Sequence, residues 1–117
     1  MVNQQIIGDR DTALSAEDLA ALREDLHEQR LFRREQLQQL TAAPVPGAGA
    51  PLDEVRAKLA ASARMVLADV EAALARMDRG TYGTCHLCRG PIDRVRLTIV
   101  PQARYCARCQ HVREAGA

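Results

Sequence analysis

The segment from Thr84 to Gln110, TCHLCRGPIDRVRLTIVPQARYCARCQ, carries all four cysteines of this 117-residue chain. They form two pairs, Cys85 with Cys88 and Cys106 with Cys109; two residues separate the members of each pair and 17 separate the pairs. Two such knuckles let four sulfurs surround one Zn²⁺ as a tetrahedron at about 2.3 Å. An interval of roughly 15–20 residues suits a small module that brings the knuckles together. The pattern predicts one structural zinc ion held by these four residues.

The same cysteines have two other readings, a pair of disulfides and a redox-active CxxC motif. The N-terminus, MVNQQIIGDR, has neither a basic start nor an apolar run, and no stretch approaches 18 consecutive apolar residues. We therefore expect a cytoplasmic protein in a compartment where thiols stay reduced. No alternation of strands and helices surrounds either pair, which disfavours a redox motif.

The expected zinc site also bears on catalysis. Four sulfurs leave no open position for water or substrate, and the sequence offers no paired acid and base constellation. We expect that the chain is not an enzyme. His86 and His111, which lie beside the cysteines, are expected to be surface residues rather than spare ligands.

The composition favours a mainly helical fold. Aromatic residues make up 3% of the chain and Trp is absent, while Ala, Leu and Arg dominate, as in helices packed on helices. The net charge is +1, and a zinc ion with four thiolates would bring it to about −1. The net charge of the chain therefore does not favour binding to nucleic acid.

Two long helices are predicted upstream of the cysteines. Ser15 is a suitable N-cap for a helix from Ala16 to Leu40, and a second helix runs from Leu52 to Arg79 and ends at Gly80. The sequence between them, TAAPVPGAGAP at 41–51, cannot continue a helix. The prediction is an antiparallel helical hairpin, or coiled coil, over residues 15–79 with its tip at 41–51. An irregular segment (1–14) precedes it, and a C4 zinc module with a closing helix (80–117) follows.

The hydrophobic spacing predicts which faces of the two helices meet. In the first helix Leu19, Leu22 and Leu26 have coiled-coil spacing, but Gln29 and Arg33 occupy the next positions of the seam. In the second helix the expected stripe has the same spacing and consists of Leu52, Val55, Leu59, Ser62 and Val66, and after a shift of the repeat it continues with Val70, Leu74 and Met77. Within the zinc module, the β-branched run Val95–Val100 predicts a strand, and residues 107–114 predict the short closing helix.

The residues around the cysteines resemble a known family. From Gly80 the sequence reads GTYGTCHLC, followed by Pro91-Ile92, Arg96-Leu97, Pro101, Ala103 and YCARCQ up to Gln110. This resembles the C4 zinc finger of the DksA/TraR family, in outline YGxCxxCGxxIxxxRLxxxPxAxxCxxCQ. Only the glycine after the second cysteine is displaced, to Gly90. The close match covers residues 80–113, and the hairpin agrees in architecture.

The resemblance implies a regulator of transcription that binds bacterial RNA polymerase directly. In that family the globular base docks at the rim of the polymerase secondary channel, and acidic residues of a DxxDxA motif at the arm tip act near the catalytic Mg²⁺. The tip of this chain, AAPVPGAGA at 42–50, has no carboxylate. The nearest acids are Asp53 and Glu54, which point about 100° apart on a helix. They are the candidates to replace the tip aspartates.

The resemblance also bears on the alarmone guanosine tetraphosphate. DksA-like members help to hold it with lysines on the second arm and just after the last cysteine, where this chain has Asp69 and Gln110. A carboxylate repels a polyphosphate. The sequence therefore predicts little or no response to the alarmone.

Partner contacts are expected at both ends of the molecule. The candidates are Asp53 and Glu54 on the arm and Arg94, Arg96, Arg104 and Arg108 in the basic module. Two other classes of function stay open: a zinc-ribbon protein that binds nucleic acid, and a structural or adaptor relative that has no tip-dependent regulatory output.

Overall fold

The computed structural model describes residues 14–42 and 49–116. This part of the chain has four helices: α1 (Ala16–Leu40), α2 (Ala50–Arg79), α3 (Arg94–Ile99) and α4 (Ala107–Gly116). α1 and α2 pack against each other as the antiparallel hairpin, hereafter the arm, and the Cα coordinates extend over 71 × 34 × 20 Å. The mainly helical fold class is confirmed. The predicted irregular segment falls largely on residues 1–13 and the predicted tip on 43–48, which lie outside the described residues.

The start of α1 follows from its capping residues. The Ser15 hydroxyl accepts a hydrogen bond from the Asp18 backbone N–H, and the Asp18 carboxylate accepts one from the Ser15 N–H. This reciprocal capping box satisfies two amide groups that have no partner within the helix. The predicted bounds of α1 are confirmed. α1 has no basic residue in its last turn, and Arg56 of α2 donates to the Gln39 and Leu40 carbonyl oxygens there.

α2 begins two residues earlier than predicted and ends where predicted. Ala50 is its first residue, and Pro51 lies in its first turn, where a fixed φ and a missing N–H are tolerated. Gly80 follows the helix in the left-handed conformation with φ 76°, and its N–H donates to the Arg76 and Met77 carbonyls. Glycine adopts this conformation without steric cost, so the chain turns directly into the zinc module.

The face of α2 that meets α1 differs from the prediction only in the first half of the helix, since Val70, Leu74 and Met77 are buried as predicted. Leu52, Val55 and Leu59 are 48%, 51% and 48% exposed, whereas Ala60 and Ala63 are buried. The buried seam lies one position further along the helix, which rotates it by about 100°. The contacts of Arg34 with Glu71 and of Arg56 with Leu40 place the two alanines opposite the end of α1, where Gln36, Leu37 and Leu40 are half-buried. In this half of the arm the buried residues of α2 are the two alanines.

The hydrophobic core lies at the base of the arm and is shared with the zinc module. It combines residues of α1, α2 and the module: Leu22, Leu26, Val70, Ala73, Leu74, Met77, Cys85, Ile92, Leu97 and Ala103. Leu26, Val70, Ala73, Cys85 and Leu97 are completely buried. The arm and the module are therefore packed as one unit.

The predicted strand at Val95–Val100 is wrong, because this segment forms helix α3. Asp93 accepts a hydrogen bond from the Val95 backbone N–H and starts the helix. Leu97 is buried while Val95 and Ile99 are 62% and 74% exposed. No strand among the described residues is placed to pair with this segment; the only β contact there is the isolated bridge between Thr84 and Pro91. A short helix forms its backbone hydrogen bonds within itself, so it needs no neighbouring strand, and burial of Leu97 anchors it to the core.

Candidate metal site

The first cysteine pair lies on a tight turn that follows the arm. Cys85 is completely buried in the shared core, and Cys88 is exposed. The backbone N–H of Arg89 donates to the Cys85 carbonyl at 3.0 Å, and the Gly90 N–H donates to Cys88 Sγ at 3.4 Å. Arg89 has a φ of 63°. The turn thus directs both sulfurs to one side.

The second pair begins α4. The Cys109 N–H donates to Cys106 Sγ at 3.5 Å, and the Gln110 N–H donates to the Cys106 carbonyl at 2.9 Å. α4 starts at Ala107 as predicted and extends two residues past the predicted end at Glu114. Amide groups directed at the sulfurs favour the thiolate, which is the form that binds a metal.

The four sulfurs converge on one point. All four Sγ atoms lie within 4.8 Å of one another, and Cys88 Sγ is 3.9 Å from Cys106 Sγ. A tetrahedral zinc with bonds of about 2.3 Å needs sulfurs about 3.8 Å apart. The residues therefore fit one structural Zn²⁺, as predicted from the spacing.

The protonation chemistry of the thiols is consistent with a bound cation. Burial tends to raise the pKa of Cys85, but amide groups of Cys88, Cys106 and Leu87 bring the pKa down to about 6. The Cys109 amide lowers the pKa of Cys106. The pKa of Cys109 is raised to about 12, chiefly because its thiol donates to Cys106. Four adjacent thiolates repel one another, and a divalent cation at their centre removes this penalty.

The two histidines beside the cysteines do not belong to the group that can hold the metal. Within the described residues that group consists of the four cysteines alone, and His86 and His111 are both exposed. Partial burial of the ring, followed by the positive charges of Arg76, Arg104 and Arg89, lowers the pKa of His86. His86 is therefore neutral at pH 7. Its ring meets the Tyr105 ring edge-on at 6.0 Å between centroids.

Three side-chain donors hold the loop that leads to Cys106, and the sequence analysis assigned no such role to any of them. Tyr82 donates its hydroxyl to the Pro101 carbonyl at 2.7 Å. Arg76 donates to the Ala103 carbonyl at 3.4 Å, and Arg96 to the Tyr105 carbonyl at 2.9 Å. One signal for Arg76 was present in the sequence, since this arginine lies directly between the apolar residues Ala75 and Met77.

The candidate partner-contact residues have different surroundings. Three of the four arginines bond within the chain: Arg94 to Asp18 at 3.5 Å, Arg104 to Asp69 at 2.8 Å and Arg96 to the Tyr105 carbonyl. Arg108 is exposed and has no ion pair among the described residues. The structure does not bring these arginines together with Asp53 and Glu54, which lie at the other end of α2. Their role in binding stays a prediction.

A groove of about 630 Å³ lies on the surface between α2 and the module. Asp69 and Gln110, the two positions discussed for the alarmone, both line it, together with Arg96, Arg104 and Arg113. Each arginine is already engaged: Arg104 by Asp69, Arg96 by a carbonyl, and Arg113 by stacking 4.3 Å above the Tyr105 ring. Gln110 donates to Glu114 at 2.8 Å.

In the parts of the chain that the structure describes, no helix is long and apolar enough to span a membrane.

Comparison with known proteins gives three findings. The family of the prokaryotic dksA/traR C4-type zinc finger matches residues 80–115. An uncharacterized protein of Aquifex aeolicus (strain VF5) is 40% identical over 52 residues, which cover 43% of this chain and only 36% of that protein. The structure of transcription factor DksA2 from Pseudomonas aeruginosa matches with a TM-score of 0.68 at 24% identity, over 97% of this chain and 96% of that chain. Residues 80–115 are therefore similar to the prokaryotic dksA/traR C4-type zinc finger, and the chain as a whole has the fold of DksA2.

Proposed function

We propose that this chain is a cytoplasmic, non-enzymatic regulator of transcription that binds bacterial RNA polymerase at its secondary channel. The observation that carries the proposal is the combination of a DksA/TraR-type zinc finger with the fold of a transcription factor over nearly the whole chain. The module docks at the rim and the arm points inward. The zinc ion is structural because four sulfurs occupy its coordination positions.

The arm has the length to reach an interior site. α2 has 30 residues, so at 1.5 Å per residue it extends for about 45 Å. Asp53 and Glu54 lie at its far end. Glu54 is 3.7 Å from Lys58, whereas Asp53 makes no ion pair with a described residue. Asp53 is therefore the stronger candidate for the acid that acts on the polymerase.

At the other end of the molecule, Arg108 is the best placed of the four candidate arginines to meet a partner. Arg94, Arg96 and Arg104 stabilise the module itself, while Arg108 projects from the first turn of α4 without an internal ion pair in the described chain. A free guanidinium suits a carboxylate on a partner surface. Substitution of Arg108 should weaken binding without weakening the fold.

The proposal includes little or no dependence on guanosine tetraphosphate. The groove beside Asp69 contains arginines, but a polyphosphate would have to compete with the Asp69 carboxylate for Arg104 at 2.8 Å. Gln110 contributes no charge, and Glu114 beside it is acidic. The electrostatic balance therefore disfavours a polyanion.

In vitro transcription with purified polymerase tests the proposal. The zinc-loaded protein should change transcript yield at promoters with short-lived open complexes, equally with and without the alarmone. Asp53→Ala should reduce the effect more than Glu54→Ala. An alarmone-dependent shift at physiological magnesium that disappears in Asp69→Ala would contradict alarmone independence.

An adaptor function is the second candidate, and the acid-free sequence of the tip at 42–50 favours it. An adaptor would bind polymerase but leave transcript yield unchanged at every promoter tested. A nucleic-acid-binding protein would instead bind DNA alone, with an affinity that falls steeply as salt rises.

A further inference from the structure

Arg76 is the only charged residue that is buried in the described part of the chain. It is 5% exposed and lies on the side of α2 that faces the zinc module, between core residues Ala73 and Met77. Burying a charge is unfavourable unless an opposite charge or good hydrogen bonds compensate for it. Burial lowers the pKa of Arg76, and the neighbouring positive charge of Arg104 adds to this effect, but arginine stays protonated in proteins. A buried guanidinium in this place therefore needs a compensating group.

Carboxylates of the described residues do not supply this compensation. No ion pair involves Arg76, and the nearby Asp69 carboxylate is engaged by Arg104 at 2.8 Å. The hydrogen bond from Arg76 Nη2 to the Ala103 carbonyl is long, at 3.4 Å. The four-cysteine cluster is a different source of negative charge, since four thiolates with one Zn²⁺ carry a net charge of −2. Cys85 of that cluster belongs to the same core as Ala73 and Met77.

The partner of Arg76 lies in the loop that positions the second cysteine pair. Four carbonyls of residues 101–105 accept hydrogen bonds, and Cys106 follows directly. The donors are the Tyr82 hydroxyl, the Arg76 guanidinium, the His86 backbone N–H and the Arg96 guanidinium. Only Arg76 among them belongs to the arm. The His86 N–H, at 2.9 Å from the Arg104 carbonyl, ties the same loop to the first pair.

We propose that Arg76 is a positioning residue of the zinc site, which holds the loop before Cys106 from the base of the arm and supplies buried positive charge beside the dianionic zinc–thiolate cluster. It contacts none of the cysteines and acts through the Ala103 carbonyl and through its charge. The inference concerns zinc alone and does not depend on the proposed binding to polymerase.

The test is zinc affinity in the full-length protein, measured by competition with a chromophoric chelator. Arg76→Met removes the charge and the donors but keeps an unbranched chain of similar length, and should weaken zinc binding about 10- to 100-fold, as expected for groups that orient metal ligands. Arg76→Lys keeps the charge and should recover part of the loss. Arg79→Met is the matched control, because Arg79 lies three residues further along α2 and is exposed. It should bind zinc like the wild type.

The cobalt-substituted protein gives a second readout. At saturating Co²⁺ the Arg76→Met variant should show altered d–d and thiolate charge-transfer bands, which a defect in the arm alone would not produce. Wild-type affinity and wild-type cobalt bands in Arg76→Met would overturn the proposal. If Arg76→Met does not fold even with zinc, Arg76→Lys decides: a folded lysine variant with intermediate affinity supports the proposal, and one that also fails to fold or bind overturns the role of charge.

Discussion

Among the single residues of the zinc module, Arg89 has the least favourable backbone. Its φ of 63° lies in the left-handed region, where a side chain with a Cβ costs about 1–2 kcal/mol. The family signature has glycine directly after the second cysteine, but in this chain glycine follows one position later. Gly90 itself does not have a positive φ, and a Cβ added there would lie 3.4 Å from Cys88 Sγ, at van der Waals contact. The module therefore tolerates strain at Arg89.

Arg89→Gly should stabilise the zinc-loaded protein. Relief of the left-handed strain is partly offset by the greater freedom of glycine in the unfolded chain, which leaves a gain of about 0.5–1 kcal/mol. Urea unfolding at saturating zinc measures this gain in the free energy of unfolding. Arg89→Ala is the matched control, because it removes the guanidinium but keeps the Cβ and should give no gain. A gain of equal size in both variants would mean that the side chain, not the backbone, is unfavourable.

Ionisation of Tyr82 should reduce the stability of the fold at alkaline pH. Burial raises the pKa of Tyr82 to about 12, and its hydroxyl donates to the Pro101 carbonyl. A group with a raised pKa in the folded state contributes its full stability below its ordinary pKa of about 10. That contribution is lost as the pH rises from about 10 toward about 12.

Tyr82→Phe should therefore flatten the dependence of stability on pH above about 10. At pH 8 the variant should be less stable by about 1 kcal/mol, because it lacks the hydrogen bond to Pro101. Urea unfolding at pH 8, 9.5 and 11 checks both effects. A variant whose stability falls between pH 9.5 and 11 as steeply as that of the wild type would contradict the assignment to Tyr82.

At the scale of the helices, α2 carries two apolar stripes, and the one with the smaller residues faces α1. Ala60 and Ala63 are buried in the seam, while Leu52, Val55 and Leu59 are about half exposed. Ala63 is 1% exposed, so a larger side chain there would have to displace its neighbours. The two stripes should respond to substitution in opposite ways.

Ala63→Leu should destabilise the protein by about 1–3 kcal/mol, because extra methylene groups in a packed seam force the helices apart. Leu59→Ala, only four residues away, should cost less than about 1 kcal/mol because Leu59 is half exposed and alanine is the better helix former. Thermal unfolding of both variants at saturating zinc checks the order. If Leu59→Ala were the more damaging change, the seam would have the predicted register instead of the observed one.

The elements differ in how far their sequences determine them. Ser15 and Gly80 mark helix ends through local hydrogen bonds and backbone conformation, so the bounds of α1 and the end of α2 follow from sequence. The register of the seam does not, because α2 carries an alanine stripe beside the larger apolar one and its own sequence does not decide which of the two meets α1. The segment at 95–100 has strand-forming residues, but tertiary context overrides that preference through the Asp93 cap and the single anchor at Leu97. The four zinc ligands follow from spacing, whereas Arg76 and Tyr82 act across the fold.

At the scale of the whole molecule, the arm and the zinc module share one core. Cys85, Ile92 and Leu97 of the module pack with residues of both long helices. Two ion pairs also link the module to the arm, Arg94 with Asp18 of α1 and Arg104 with Asp69 of α2. Loss of the module's structure would therefore uncover the base of the arm.

Zinc removal should unfold the module and also loosen the base of the arm. Structural zinc contributes folding free energy directly. Without the module, Val70 and Leu74 become more exposed to solvent, because the module residues pack against them in the shared core. Amide hydrogen exchange after chelation should show lost protection over residues 81–113 and over residues 70–77 of α2. Residues 60–63, which pack in the seam away from the module, serve as the internal control. Unchanged protection at 70–77 would contradict a shared core.

We propose that this chain binds RNA polymerase with its arm inside the secondary channel. Site-specific photo-cross-linking with purified polymerase tests it most directly, with a photoreactive phenylalanine analogue at the exposed Lys58 on the arm or at Val112 on the module, which is 62% exposed and lies one turn beyond Arg108 on α4. Lys58 should cross-link to the interior of the channel and Val112 to its rim, and both products should disappear when another protein blocks the channel. Products that persist with a blocked channel, or no saturable binding at micromolar concentration and moderate salt, would contradict it.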